Sequence, residues 1–322
     1  MLYAIEKIIC QILMFKTQIT KYKPLNHLKV SSTIRTIYYA VSFILFIGCS
    51  SNEIEEGSTP IATTPTPVVQ APQGCPSGKV ANANPTGDFT TLVWADEFNE
   101  DGAPCENNWF HEIIPPDNGG WYNREQQFYT DSRSNSIVED GVLKIIAKKE
   151  KFNGKEYTSA RMTTQDLFEF QYGKVEISAK LPQGQGTWPA LWFLGTNIDS
   201  VGWPLCGEMD LMEHGNGDPG MVSSAVHQAN ENGDAYYTSG EQLIANEATE
   251  FHLYTMEWTA TAVKFFVDGT QHHEVLITGN SPFNRFFFII VNVAMGGVFT
   301  GNKIDSNFVS SSMDIDYIRV YQ

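Results

Sequence analysis

Glu208, Asp210 and Glu213 place three carboxylates within six positions of an otherwise apolar run, Glu208-Met209-Asp210-Leu211-Met212-Glu213. Two carboxyl groups held on either side of a glycosidic bond can cleave it, one attacking the sugar carbon while the other protonates the leaving oxygen. A third acid between them would tune how their protons are shared. Trp188-Pro189-Ala190-Leu191-Trp192-Phe193 lies just upstream and supplies aromatic faces of the kind on which a sugar ring stacks. The same three acids could instead form a solvated edge or hold calcium, so their geometry decides what they can do.

On an α-helix, positions 208 and 213 diverge by about 140° and do not converge on one substrate. On a regular strand, Glu208 and Asp210 share a face and Glu213 falls on the other. One extra residue, a β-bulge at Leu211-Met212, returns Glu213 to the shared face and sends Met209 into the core behind it. The expectation is a bulged strand with Glu208 as nucleophile, Glu213 as general acid/base and Asp210 coupling the two. A close pair of long glutamates implies attack with retention of configuration.

The elements that must position this strand are also strands. Gly173 to Leu181 alternates, with Val175, Ile177, Ala179 and Leu181 on one face and Lys174, Glu176, Ser178 and Lys180 on the other. Asp140-Gly141 and Asp268-Gly269 separate apolar runs and predict tight hairpins. Phe286 to Val291 is continuously apolar, as in a strand buried on both faces. No long segment carries helical periodicity. The expected class is all-β, two antiparallel sheets packed as a sandwich.

Several segments together resemble glycoside hydrolase family 16, and within it the bacterial laminarinases. They are Tyr172-Gly173-Lys174-Val175-Glu176, Ala179-Lys180-Leu181-Pro182, the Trp188–Phe193 run, Trp203-Pro204, Cys206 to Glu213, and the closing Asp316-Tyr317-Ile318-Arg319-Val320-Tyr321. The resemblance spans roughly residues 88 to 322. It implies a β-jelly-roll with an open concave cleft, a retaining mechanism and an endo-β-1,3-glucanase activity on laminarin-like glucans. Mixed-linkage and xyloglucan-active members carry the shorter E-x-D-x-E, whereas agarases and carrageenases share the bulge.

The resemblance also suggests contacts. Asn123 and Glu125, in Trp121-Tyr122-Asn123-Arg124-Glu125-Gln126-Gln127-Phe128-Tyr129, resemble a cleft-entrance segment, and Arg161 stands at a position where the family often has arginine. His227 falls where a cleft histidine is common; His214, next to the acid/base, should point away. Asn292 to Gly297 resembles a late cleft strand, but the usual Asn-Trp-Pro-Gly after it is here Val298-Phe299-Thr300-Gly301. Glu97, Gly141 and Asp316 match the family's structural calcium ligands, and hard oxygen donors suit that ion. From the sequence itself, Trp188, Trp192 and Trp203 are candidate sugar platforms, although a tryptophan in a sandwich is as readily core. Catalysis needs no cofactor, and no C-x-x-C or H-E-x-x-H pattern suggests a transition metal.

The N-terminal section is a different object. Lys16, Lys21, Lys23, Lys29 and Arg35 precede an apolar run from Ile37 to Gly48, then Cys49. About a dozen apolar residues is short for a membrane span and fits a signal peptide. Phe46-Ile47-Gly48-Cys49 resembles a lipobox, making residues 1–48 a lipoprotein signal and Cys49 the lipidated N-terminus. Residues 49–87 read as an anchor and Thr/Pro-rich linker, and 88–322 as the catalytic domain. The expected location is the bacterial outer membrane, facing the cell surface, with the protein monomeric.

Charge narrows the substrate. Residues 1–49 carry six basic and one acidic side chain, +5; subtracting from the whole-chain −16 leaves −21 for the rest. Such a field repels polyanions, which argues against nucleic acid and against sulfated galactans, and it accepts a neutral glucan. Cys75 and Cys105 could pair in an oxidising compartment, and Cys206 reads as a small packing residue. Two alternatives remain beside the glucanase: the same scaffold acting on mixed-linkage glucan, agarose or a porphyran-like galactan, and a surface lipoprotein that binds glycan without cleaving it.

Overall fold

A computed structural model describes residue 81 and residues 87–116, 120–215 and 219–322. The signal segment, Cys49, Cys75 and the linker up to residue 80 lie outside the described residues.

Among the described residues, seventeen strands follow one another with almost no helix between them. They are β1 (Leu92–Asp96), β2 (Phe110–His111), β3 (Gln127–Tyr129), β4 (Ser136–Glu139), β5 (Val142–Phe152), β6 (Lys155–Ser159), β7 (Arg161–Thr163), β8 (Gly173–Lys180) and β9 (Thr187–Gly195). After a single helical turn, α1 (Ile198–Val201), come β10 (Glu208–Glu213), β11 (Met221–Ala229), β12 (Ala235–Leu243), β13 (His252–Trp258), β14 (Ala262–Val267), β15 (Thr270–Leu276), β16 (Phe287–Met295) and β17 (Ser310–Tyr321). One sheet runs β15-β14-β13-β8-β17-β5-β6-β3, with β1 also on β17 and β4 on β5; the other runs β12-β11-β10-β9-β16-β7-β2. All pairings but β3–β6 are antiparallel.

The local signals account for much of this. In β8, Val175, Ile177 and Ala179 are buried and the residues between them are half-buried, as alternation demands. Asp140-Gly141 and Asp268-Gly269 all adopt positive φ, from 49° to 75°, and join β4 to β5 and β14 to β15. Two consecutive left-handed residues give the turn whose twist matches the flanking strands.

The core lies between the sheets, where Val175, Ile177 and Ile318 of one meet Phe193, Met209, Ile289 and Val291 of the other. β16 is buried along its whole length because both of its faces are covered. Its odd-numbered residues Phe287 to Met295 join the main core. On the opposite face, Phe288 and Ile290 pack with Leu194 and Cys206 in a smaller cluster that also takes Trp192 and Ile198 of α1. The α1 segment therefore folds over the seven-stranded sheet and builds one wall of its cleft.

The stretch from Glu231 to Glu250 offers no clear pattern in sequence, yet its middle forms β12, paired with β11 from Met221↔Leu243 to Ala229↔Ala235. Its exposed polar and aromatic residues carry no period because the strand sits at a sheet edge with little core behind it.

Candidate active site

The three carboxylates sit on β10, in the middle of the seven-stranded sheet. Asp210 pairs with Trp192 on β9 while Met212, two residues on, pairs with the adjacent Leu191. Toward β11, Asp210 faces Ala225 and Glu213 faces Ser223, three steps against two. Both ladders thus place one extra residue at Leu211-Met212, which is the bulge the spacing calls for. Met209, Leu211 and Met212 are buried, and Glu208 and Glu213 reach the open face.

Register then fixes their neighbours on that face. Glu208 lies beside Leu194 and His227, Asp210 beside Trp192 and Ala225, and Glu213 beside Ala190 and Ser223. His227 Nε2 is 3.2 Å from Asp210 Oδ2 and 3.8 Å from Glu208 Oε1. The Asp210 contact lacks the angle of a hydrogen bond, so that buried oxygen has no bonded partner among the described residues. Glu208, Asp210 and His227 bring ligand-type atoms within 4.8 Å of one another, and all three belong to this centre. Trp188 Nε1 donates to Glu213 Oε1 at 3.0 Å.

Burial raises the pKa of all three acids. Glu208 is held well above the usual range by burial first and by the Asp210 charge second, with His227 opposing. Asp210 is raised well above by burial and by Glu213. Glu213 is raised by burial, against the indole N–H of Trp188 and His227, which favour its charged form. Burial and mutual repulsion both favour the protonated forms, so the three acids share their protons as one coupled set.

A second group lines the cleft beyond β9. Arg161 Nε bonds Glu112 Oε2, and its guanidinium lies 4.7 Å from the Trp192 ring and 5.3 Å from that of Trp121. Burial works against the Arg161 charge, but Glu112 overrides it and leaves the pKa raised. Trp192 Nε1 donates to Asn292 Oδ1 at 2.8 Å, and Asn292 Nδ2 donates to the Tyr129 hydroxyl at 3.1 Å. Tyr129 in turn donates to Glu125 Oε2, which also accepts from Gln127. Glu125 is raised by burial.

On the other side of Glu208, Trp203 is 49% exposed and its ring is 6.1 Å from His227, while Tyr237 stacks on His227 at 5.2 Å and 26°. Trp203 and Tyr237 thus stand as open aromatic surfaces beside Glu208. Asn123 is exposed in a turn at φ 60°, and its carbonyl accepts from Val298 N.

Not every expected sugar contact is one. Trp188 is 8% exposed, covered by Phe299 at 5.0 Å and 12°, so it supports Glu213 instead of offering a platform. Trp192 presents only part of its surface, since Arg161 takes one ring face. His214 is buried and its Nδ1–H bonds Met221 O, away from the cleft as expected. Sequence reasoning missed Tyr237, Glu112 and the role of Asn292; no local signal marks them, because they meet the site across strands distant in the chain.

The expected calcium set, Glu97, Gly141 and Asp316, lies at the ends of β1 and β5 and on β17. Strand pairing brings the ends of β1 and β5 alongside β17, but both Glu97 oxygens are bound by Arg319, at 2.7 and 2.8 Å. Asp316 Oδ2 is 3.4 Å from the Ser178 hydroxyl, and Gly141 lies in its hairpin. Cys206 is a free, buried thiol pushed up to about 11 by burial and by Glu208. Cys105 is disulfide-bonded.

A two-sheet β-sandwich that presents paired glutamates on a bulged strand, between aromatic walls, is the arrangement of a polysaccharide-cleaving glycosidase. Residues 123–319 match glycosyl hydrolases family 16, and the chain belongs to that family. A second match, to the beta-glucan synthesis-associated SKN1/KRE6/Sbg1 proteins, covers residues 28–207 and stops short of the carboxylate strand. The chain is 37% identical to a beta-glucanase of Rhodothermus marinus over 72% of its own length and 85% of the relative's. It is 32% identical to glucan endo-1,3-beta-glucosidase A1 of Niallia circulans, over 72% of this chain but 38% of that longer protein. A LamA variant from Zobellia galactanivorans, solved with laminaritriose and laminaritetraose, superposes with a TM-score of 0.69 at 41% identity, covering 73% of this chain and all 100% of that one.

Proposed function

We propose that this protein cleaves β-1,3-glucosidic bonds inside laminarin-like glucans by double displacement. The observation that carries this reading is the placing of Glu208 and Glu213 on one face of β10 by the bulge, with separate partners on separate sides. Glu208 attacks the anomeric carbon as Glu213 gives its proton to the departing glycosidic oxygen, forming a glycosyl ester. Glu213 then takes a proton from water, whose oxygen displaces Glu208 and restores both groups. Asp210, between them, carries charge or proton as each step requires. Every proton moves between the substrate, water and these acids, so no cofactor enters.

A neutral glucan suits this cleft because Arg161 is already neutralised by Glu112 and the remaining charged groups beside it are acids. The relatives named for β-glucan and endo-1,3-β-glucan cleavage support the same linkage. Incubation with laminarin, mixed-linkage glucan, agarose and carrageenan, followed by proton NMR of the first products, tests it. Short β-1,3-oligoglucosides released first as the β-anomer are expected. Galactan products would overturn the substrate, α-anomers the mechanism, and intact polymer the enzyme assignment.

The leader supports placing the enzyme at the bacterial outer membrane through a lipid on Cys49, with 49–87 as spacer. Radiolabelled palmitate should enter the wild-type protein and be absent from Cys49→Ala; equal labelling would remove the anchor. A structural calcium would have to draw Glu97 from Arg319 toward Gly141 and Asp316. Melting curves unchanged between excess calcium and chelator would dismiss that ion.

A further inference from the structure

The segment Val298-Phe299-Thr300-Gly301 departs from the Asn-Trp-Pro-Gly of the resembled family, and the reaction above does not use it. The structure gives it a defined place. Val298 N donates to Asn123 O, Asn302 N to Gly297 O, and Gly301 N to Val298 O, so the loop is tied to the 122–124 turn and to itself. From this loop Phe299 lays its ring parallel to Trp188, 5.0 Å away at 12°. Trp188 is the residue whose indole N–H holds Glu213.

Two glycines make room for that stack. A Cβ at Gly297, which has φ 80°, would lie 2.9 Å from the Trp188 ring. A Cβ at Gly215 would lie 2.6 Å from the Phe299 ring, and Gly215 follows Glu213 by two residues. The sequence thus clears space on both sides of one aromatic pair whose inner member bonds the acid/base. Phe299 is itself 41% exposed, so its inner face covers Trp188 while its outer side remains open.

We propose that Phe299 is a positioning residue for the general acid/base, acting through Trp188. It holds the indole plane so that Nε1 stays aimed at Glu213, and it keeps water off that hydrogen bond. The groups facing Glu213 are Glu208 and Asp210 on its own strand, His227 on β11 and the Trp188 N–H on β9. None of them is in the 296–301 loop. Phe299 therefore adds no charge and acts by shape and exclusion of water, which is where an aromatic ring differs from a polar one. The inference rests on Glu213 being the proton donor of the proposed function.

The test is kinetic. Phe299→Ala is expected to lower kcat on laminarin by about 10- to 100-fold, within what a general acid contributes, with KM changed less than about threefold. Hydration relieves the burial that raises the Glu213 pKa, the larger cause, while a loosened Trp188 bond opposes it, so the alkaline limb of kcat, set by protonated Glu213, should move to lower pH by less than burial alone would give. The loss should shrink on an aryl β-1,3-glucoside whose leaving group needs no proton. Phe299→Trp should restore the wild-type values. Gly215→Ala, which leaves Phe299 in the chain but pushes its ring aside, should reproduce Phe299→Ala, and serves if that variant fails to fold.

A raised KM with unchanged kcat and pH profile would make Phe299 a sugar platform and overturn the proposal, as would wild-type kinetics. Equal losses on laminarin and the aryl glucoside would also overturn it, because the defect would not lie in proton donation. Failure of the proposed function itself reads differently: the wild-type protein would then release no products from laminarin.

Discussion

Replacing Asn292 with leucine should cost this enzyme stability and glucan affinity together. Asn292 is 6% exposed on β16 and spends both ends of its amide, accepting from Trp192 at 2.8 Å and donating to Tyr129 at 3.1 Å. Leucine has the same branching and number of side-chain heavy atoms, so it leaves no cavity and the lost hydrogen bonds dominate. Losing two buried hydrogen bonds costs roughly 1 kcal/mol each, and leaving a polar group unpaired adds about 1–3 kcal/mol. Trp192 is partly open to water, which holds that addition near its lower end. The sum is about 3 kcal/mol, or a fall in Tm of roughly 6–12 °C for a domain of this size. Freed from Asn292, the Trp192 ring can turn beneath Arg161, so KM for laminarin should rise while kcat holds. Calorimetry and initial-rate assays read both effects. A double-mutant cycle with Tyr129→Phe should show coupling of at least about 0.5 kcal/mol, as contacting residues do. A fall in Tm below about 2 °C with unaltered KM would refute the claim that this chain of bonds holds the cleft wall.

Glu208→Gln should abolish turnover yet leave laminarin-oligosaccharide binding measurable by calorimetry. It should also stabilise the protein in a pH-dependent way. Burial raises the Glu208 pKa in the fold, so its contribution is present below the unfolded value of about 4.3 and is lost as pH rises through the folded one. Glutamine escapes that loss, so the Tm of the variant should exceed wild type at pH about 8 and match it near pH 4; a constant offset would sink this reading. Cys206, buried with its thiol pushed up to about 11, should resist iodoacetamide at pH about 8 until the protein is unfolded. Rapid labelling of the native protein would show the α1 wall to be open.

Whatever depends on neighbours along the chain is legible in the residues alone. Three acids at E-x-D-x-x-E share a face only on a strand with one extra residue, and both ladders contain it. Alternation defined β8, and two Asp-Gly pairs defined hairpins, because pleat and turn chemistry are local. Tertiary structure decided which side chains surround those acids. Tyr129 and Asn292 are 163 residues apart and Arg161 and Glu112 are 49 apart, yet sheet order sets each pair in contact. A tryptophan has the same sequence signature whether it carries a sugar or a carboxyl group. Trp203 lies open beside Glu208 while Trp188 lies under Phe299 against Glu213, and only the closing of strands and loops around each ring separates their roles.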